Sequence, residues 1–205
     1  MLFDLIGAVL SLLSTYYFIR LNNKAWFIGM IATGVNGLLY WQKGIYADMG
    51  LEIIYFLSMC YGLYLWKDLG SQNIDKQNTS IQSLTLNHGL FLTLVFGLIF
   101  GIIYGLLSNF TQSTVAFMDA FTASISLVAQ WLMCHKFIAT WVLWLVTDVL
   151  YSFMYLGKNL PFHCLLMIIY AGMAVTGYIV WARRSKAALT DSISINPHFS
   201  NQKLV

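Results

Sequence analysis

The chain has 205 residues, of which 59% are hydrophobic, 16% aromatic and only 9% charged. A soluble domain carries about 25% charged residues, so this composition excludes an ordinary water-soluble fold and points to a polytopic membrane protein. The net charge of +3 comes from bases standing singly between apolar runs, without the basic stripe that nucleic acid requires.

Seven apolar segments follow in chain order, approximately Leu2–Ile19, Ala25–Trp41, Leu51–Trp66, Leu86–Leu107, Thr114–Met133, Trp141–Leu156 and Phe162–Trp181. The first opens with MLFDLIGAVLSLLS, which lacks a basic leader and a small-residue cleavage site and therefore reads as a first span, not a removed signal. Several segments are shorter than about 20 residues, and their ends extend into interfacial Tyr, Trp and Lys positions. Pro161 precedes the last segment, where its missing N–H costs little. Segments of this length satisfy their backbone in a bilayer only as helices. The expected fold is an all-α polytopic membrane protein with seven transmembrane helices.

Between the third and fourth segments, KDLGSQNIDKQNTSIQSLT (67–85) is a polar connector. The residues from Ala187 to Val205 are polar, weakly patterned and expected to be mobile. In the fourth segment, Gly97, Gly101 and Gly105 have the spacing of a close helix contact, against the bundle or another protomer. With the N-terminus outside, the inner side receives Arg20, Lys24, Lys67, Lys76, Lys136, Arg183, Arg184, Lys186 and Lys203, and the outer side only Lys43 and Lys158. That bias predicts an N-out, C-in orientation.

The chain matches itself at an offset of 115 residues. Trp26 falls on Trp141, Tyr40 on Tyr155, Lys43 on Lys158, Tyr55 on Tyr170, Gly62 on Gly177 and Trp66 on Trp181, without a gap, and Asp4 falls on Asp119. The expected organisation is a transporter domain over 1–184, followed by a polar cytoplasmic tail over 185–205. Within the domain, three-helix repeats (1–66 and 111–184) flank a linker with the fourth helix (67–110). Three helices plus one linker helix make the repeats parallel, as in some transporters.

Trp141, Trp144, Asp148, Tyr151 and Tyr155 are spaced 3, 4, 3 and 4, so they share one helix face. The equivalent face of the second segment carries Trp26, Gly29, Thr33, Asn36 and Tyr40. A carboxylate facing hydrocarbon is expensive, so Asp148 should face the interior. There it either contacts a ligand or pathway, or bonds two helices together. Trp144 lies one turn deeper than Trp141, which is either a ligand face or an interfacial belt residue. Gln130 with Trp131 forms another polar–aromatic pair, while Thr33 and Asn36 suit a sugar or amide. Tyr55 and Tyr170 either line the same space or pack. Lys43 and Lys158 either anchor the chain at the interface or draw an anionic ligand inward. Glu52 bonds a loop or Lys43, and Asp119 favours a helix start.

Other chemistry is missing from the pattern. Cys60, Cys134 and Cys164 have no ligand spacing, and His88, His135, His163 and His198 form no cluster. No P-loop, zinc-protease, kinase or hydrolase motif occurs. Neither a cofactor nor a metal is expected, and an intramembrane enzyme or a non-transporting scaffold is a remote alternative.

The run from Gln130 to Arg184 resembles the PnuC-type vitamin-precursor transporters. The resemblance rests on W-x-x-W-x-x-x-D-x-x-Y (Trp141, Trp144, Asp148, Tyr151), then Tyr155, Lys158, Tyr170, and the closing Gly177, Tyr178 and Trp181. It implies facilitated diffusion of nicotinamide riboside across the bacterial inner membrane, with trapping by a separate cytoplasmic kinase. It also implies a homotrimer and an architecture like that of sugar transporters with opposite hand. The implied pocket maps onto Trp141, Trp144, Asp148 and Tyr151, with Gln130 and Asn36 as amide contributors. Relatives carrying thiamine or riboflavin keep those cargoes as alternatives.

Overall fold

The structure is a computed structural model and describes residues 2–44, 46–71, 81–110, 116–157 and 161–195. Among these residues there are seven helices: α1 Leu2–Ile19, α2 Lys24–Lys43, α3 Tyr46–Ser71, α4 Leu86–Phe110, α5 Ala116–Cys134, α6 Ala139–Gly157 and α7 Pro161–Ile195. Each coincides with an apolar segment; α1 keeps its expected bounds, α5 is displaced by one or two residues, and the other five extend beyond theirs. Five are long and apolar enough to cross a membrane; the apolar part of α1, Leu5–Ile19, is shorter. The last helix does not stop near Arg184 but continues through the first part of the polar tail to Ile195.

The molecule is arranged for lipid. Large apolar side chains such as Leu38, Leu94, Leu98 and Phe153 face outward, whereas Ser14, Thr33, Thr122, Ser126, Gln130, Thr140, Thr147 and Asp148 are buried. Hydrocarbon outside removes any gain from burying apolar surface, so the interior is left to small and hydrogen-bonding groups. The chain is a multi-pass membrane protein.

Helix packing runs α1 on α2, α2 on α3, α3 on α5, α5 on α6, α6 on α7, and α7 back on α1. The six helices thus close a ring. α4 stands outside it against α5, where Phe100 meets Phe117 at 5.3 Å and Phe96 meets Phe121 at 5.5 Å between ring centroids. Among the described residues nothing lies within 4 Å of where a side chain on Gly97, Gly101 or Gly105 would begin. The expected small-residue contact is therefore not the one that holds α4 to the bundle; the aromatic ladder does that.

Local geometry recurs at the 115-residue offset. After α1, the N–H of Asn22 donates to the Tyr17 carbonyl and that of Leu21 to Phe18, both at 3.0 Å. After α5, Phe137 donates to Leu132 at 3.0 Å and Lys136 to Met133 at 3.2 Å. This six-to-one plus inner bond pattern is a Schellman stop, which needs a left-handed residue. Leu21 (φ 56°) and Lys136 (φ 57°) supply it.

The same relation links the helices on either side of each turn. The Ser14 hydroxyl on α1 donates to the Ala25 carbonyl on α2, and the Thr140 hydroxyl on α6 donates to the Ala129 carbonyl on α5, both at 2.8 Å. Ser14 corresponds to Ala129 and Ala25 to Thr140, so the clamp is kept while donor and acceptor change helices. Ser14→Ala and Thr140→Val should each remove about 1 kcal/mol of stability. Unfolding midpoints in detergent check this, with the two losses expected to be alike.

Candidate functional site

The ring is closed at the end that carries the α1–α2 and α5–α6 turns. Trp26 from α2 and Trp141 from α6 are fully buried there. Each lies on a glycine of the following helix: a Cβ on Gly62 or on Gly177 would strike the indole of Trp26 or Trp141. Trp66 ends the row edge-on to Trp26 at 5.2 Å, and Trp181 edge-on to Trp141 at 5.4 Å. Trp66 and Trp181 approach each other at 6.3 Å.

Two bonds tie this cluster across the ring. The Trp66 indole N–H donates to the Cys134 carbonyl at the end of α5, at 3.0 Å. The Trp181 indole N–H donates to the Phe18 carbonyl near the end of α1, at 3.1 Å. The Lys136 ammonium sits 4.7 Å from the centre of the Trp66 ring, and burial holds its pKa below the ordinary lysine value. The connector is drawn in as well. Gln82 donates to the Lys136 carbonyl at 2.9 Å and accepts from the Ile138 N–H at 3.0 Å.

Asp148 lies seven residues along α6 from Trp141, about 10 Å farther into the ring at helical rise. It is 7% exposed. No hydrogen bond to its carboxylate occurs among the described residues; Ser152 bonds only its main-chain carbonyl. The Tyr55 hydroxyl on α3 and the Ser126 hydroxyl on α5 are hydrogen-bonded at 2.6 Å, a bar that joins the two helices. At the same offset Tyr55 corresponds to Tyr170 on α7, which is half-buried, and Ser126 to Ser11 on α1.

The other expected residues have differing freedom. Gln130 is buried, and its amide nitrogen approaches the Met59 sulfur at 3.8 Å. Trp144 is half-buried against the edge of the aromatic core. Tyr151 stacks on Tyr155 at 6.0 Å between ring centroids. Asn36 covers Gly7, whose missing side chain makes the room. Thr33 has its hydroxyl turned onto its own helix, 3.0 Å from the Gly29 carbonyl, so that proton is committed and only acceptor capacity remains. Trp141 belongs to the closed end rather than to the acid's layer, because Gly177 and Trp181 occupy its surroundings.

Ser11, Ser126 and Met59 belong to this region and were not singled out from sequence. The offset marks the serines, since Ser11 and Ser126 stand 115 residues apart, as do Tyr55 and Tyr170. Met59 has none. It fills the space over Gly29, where a Cβ would lie 2.8 Å from its sulfur, while the equivalent positions hold Trp144 and Ala174. Volume has moved from one helix to the other, giving the two sides different chemistry. The side chains of Lys43, Lys158 and Asp4 lie outside the described residues, as does most of the polar connector. Among the described residues no group of acidic, histidine and cysteine side chains is arranged to hold a metal.

Comparison with known proteins bears on this geometry. The family model described as nicotinamide mononucleotide transporter matches residues 1–183. The nicotinamide riboside transporter PnuC of Escherichia coli (strain K12) is 22% identical over 183 residues, covering 78% of this chain and 77% of the relative. The protein of that name from Shigella flexneri matches to the same extent. The crystal structure of the vitamin B3 transporter PnuC superposes with a TM-score of 0.71 at 21% identity, covering 89% of this chain and 81% of that one. That likeness extends the shared fold over most of the chain.

Proposed function

Because the chain belongs to the nicotinamide mononucleotide transporter family, we propose that it carries nicotinamide riboside by facilitated diffusion across the bacterial inner membrane. The observation that carries this reading is the alignment with relatives named nicotinamide riboside transporters over more than three quarters of both chains. The site chemistry supports it. Nicotinamide riboside joins a cationic aromatic ring to a ribose; the buried acid shares a helix face with aromatic residues, and buried hydroxyl and amide groups stand on other helices of the ring. An anionic acceptor beside aromatic faces suits the ring, while serine, tyrosine and amide groups suit the sugar.

In this reading Asp148, Trp144, Tyr151, Tyr170, Tyr55, Gln130, Asn36 and Thr33 form the wall of the passage, with Glu52, Ser11 and Ser126 beside them. Trp141 stands beneath it as part of the closure. The helices divide as α1–α3 and α5–α7, two parallel repeats with α4 as linker, supported by the turns and clamps that recur at 115 residues. The charge bias supports an N-out, C-in orientation, so the tryptophan end faces the cytoplasm. The chain is not an enzyme in this account. It works as a homotrimer, and cytoplasmic phosphorylation of the cargo by a separate kinase keeps uptake running inward.

Liposomes containing only this protein test the cargo. Labelled nicotinamide riboside should enter faster than labelled thiamine or riboflavin. Preference for one of the other two would reassign the cargo within the same chemistry.

A further inference from the structure

The closed tryptophan end contains an internal imbalance. Trp66 and Trp181 have their N–H groups bonded across the ring to the Cys134 and Phe18 carbonyls. Trp26 and Trp141, one from each half, have indole nitrogens that are closed off from solvent and meet no acceptor among the described residues. A buried donor left unbonded is unfavourable by about as much as a good hydrogen bond is favourable. Two cross-ring bonds therefore favour closure while two orphaned donors oppose it.

The geometry points to these four tryptophans as a balanced gate at the inner end: Trp66 and Trp181 latch it shut, and Trp26 and Trp141 favour its opening. This rests on the transport reading above and adds the device that alternates access. Three further observations support it. Each latch spans the two groups of helices, so separating α3 from α5 and α7 from α1 must break both. The rings bear on Gly62 and Gly177, and smooth glycine surfaces let an indole slide where a side chain would hold it. Opening brings water to Trp26 and Trp141, which satisfies the two donors that closure leaves bare. A balance of this kind keeps two states close in free energy, which turnover requires.

Cys134 is a built-in reporter. Its carbonyl receives the Trp66 latch and its thiol is buried, donating to the Ser58 carbonyl at 3.5 Å. With Cys60→Ser and Cys164→Ser as background, a water-soluble maleimide reaches Cys134 only when the end opens. The rate of labelling is measured in nanodiscs, where both faces are accessible and no cargo is needed. Trp66→Phe and Trp181→Phe keep a ring and remove a latch, so each should speed labelling about fivefold, the factor that ~1 kcal/mol represents. Trp26→Phe and Trp141→Phe remove an orphan and should slow it by a comparable factor.

Acceleration at all four positions, or no change at any, would overturn the assignment, because ring packing alone has no reason to change sign. A second measurement needs no variant. In the unaltered protein, the four indole N–H groups should exchange with deuterium together, faster than the backbone amides of α3 and α7. Exchange of the indoles only with those amides would also overturn the gate. Failure of nicotinamide riboside transport with these labelling signs intact would instead reject the cargo and leave the gate standing.

Discussion

Asp148→Asn should lower nicotinamide riboside uptake by about 10- to 100-fold while leaving the unfolding midpoint unchanged or higher. Asparagine keeps the size and one acceptor of aspartate but loses the charge. Hydrogen bonds to charged groups are worth about 1.5–3 kcal/mol, which corresponds to that range of affinity. Stability moves the other way, because a buried carboxylate without a hydrogen-bond partner among the described residues is a burden on the fold. Had Asp148 been there to join helices, its loss would lower the midpoint and leave transport in the surviving protein. Initial uptake rates and unfolding midpoints on the same preparation separate the two roles.

Gly62→Ala and Gly177→Ala should each destabilise the protein by about 3 kcal/mol or prevent its accumulation. At Gly177 the new methyl would lie 2.5 Å from the Trp141 ring. That ring has little room to retreat, since Trp181 stands edge-on beside it. At Gly62 the obstacle is Trp26, held in the same way by Trp66. Gly101→Ala is the control, because open space surrounds it and alanine favours a helix by about 1 kcal/mol over glycine. Thermal unfolding in detergent should show a sharp loss at 62 and 177 and none at 101.

Much of this architecture was legible from residue types alone. Apolar runs located the helices, and the equal spacing from Trp26 to Trp66 and from Trp141 to Trp181 is matched by two rows in which a tryptophan packs on a glycine and meets a second tryptophan edge-on. Other features left no readable trace. The helix stops at Leu21 and Lys136 use left-handed residues with side chains, where sequence patterns lead one to expect glycine or asparagine. The continuation of α7 to Ile195 was hidden by polarity, since solvent-exposed helix and loose tail share a composition.

The candidate site was half legible. Periodicity placed Trp141, Trp144 and Asp148 on one face, which the helix obeys, but a face does not reveal depth or neighbours. Trp141 meets Gly177 and Trp181, while Asp148 two turns away has no hydrogen bond to its carboxylate among the described residues. One stripe therefore holds residues with quite different surroundings. Thr33 shows the same limit: helical spacing gives its face, but not that its hydroxyl proton goes to its own helix. The Tyr55–Ser126 bar left a fainter mark, because a serine in an apolar helix is less distinctive than an aromatic residue even where, as with Ser11 and Ser126, it recurs at the 115-residue offset.

The most direct measurement is the plateau of nicotinamide riboside inside sealed liposomes that contain this protein and no kinase, ion gradient or nucleotide. Facilitated diffusion requires rapid entry that stops when the inner concentration equals the outer one. Entry no faster than into protein-free liposomes would contradict the account, and so would a plateau above the outer concentration.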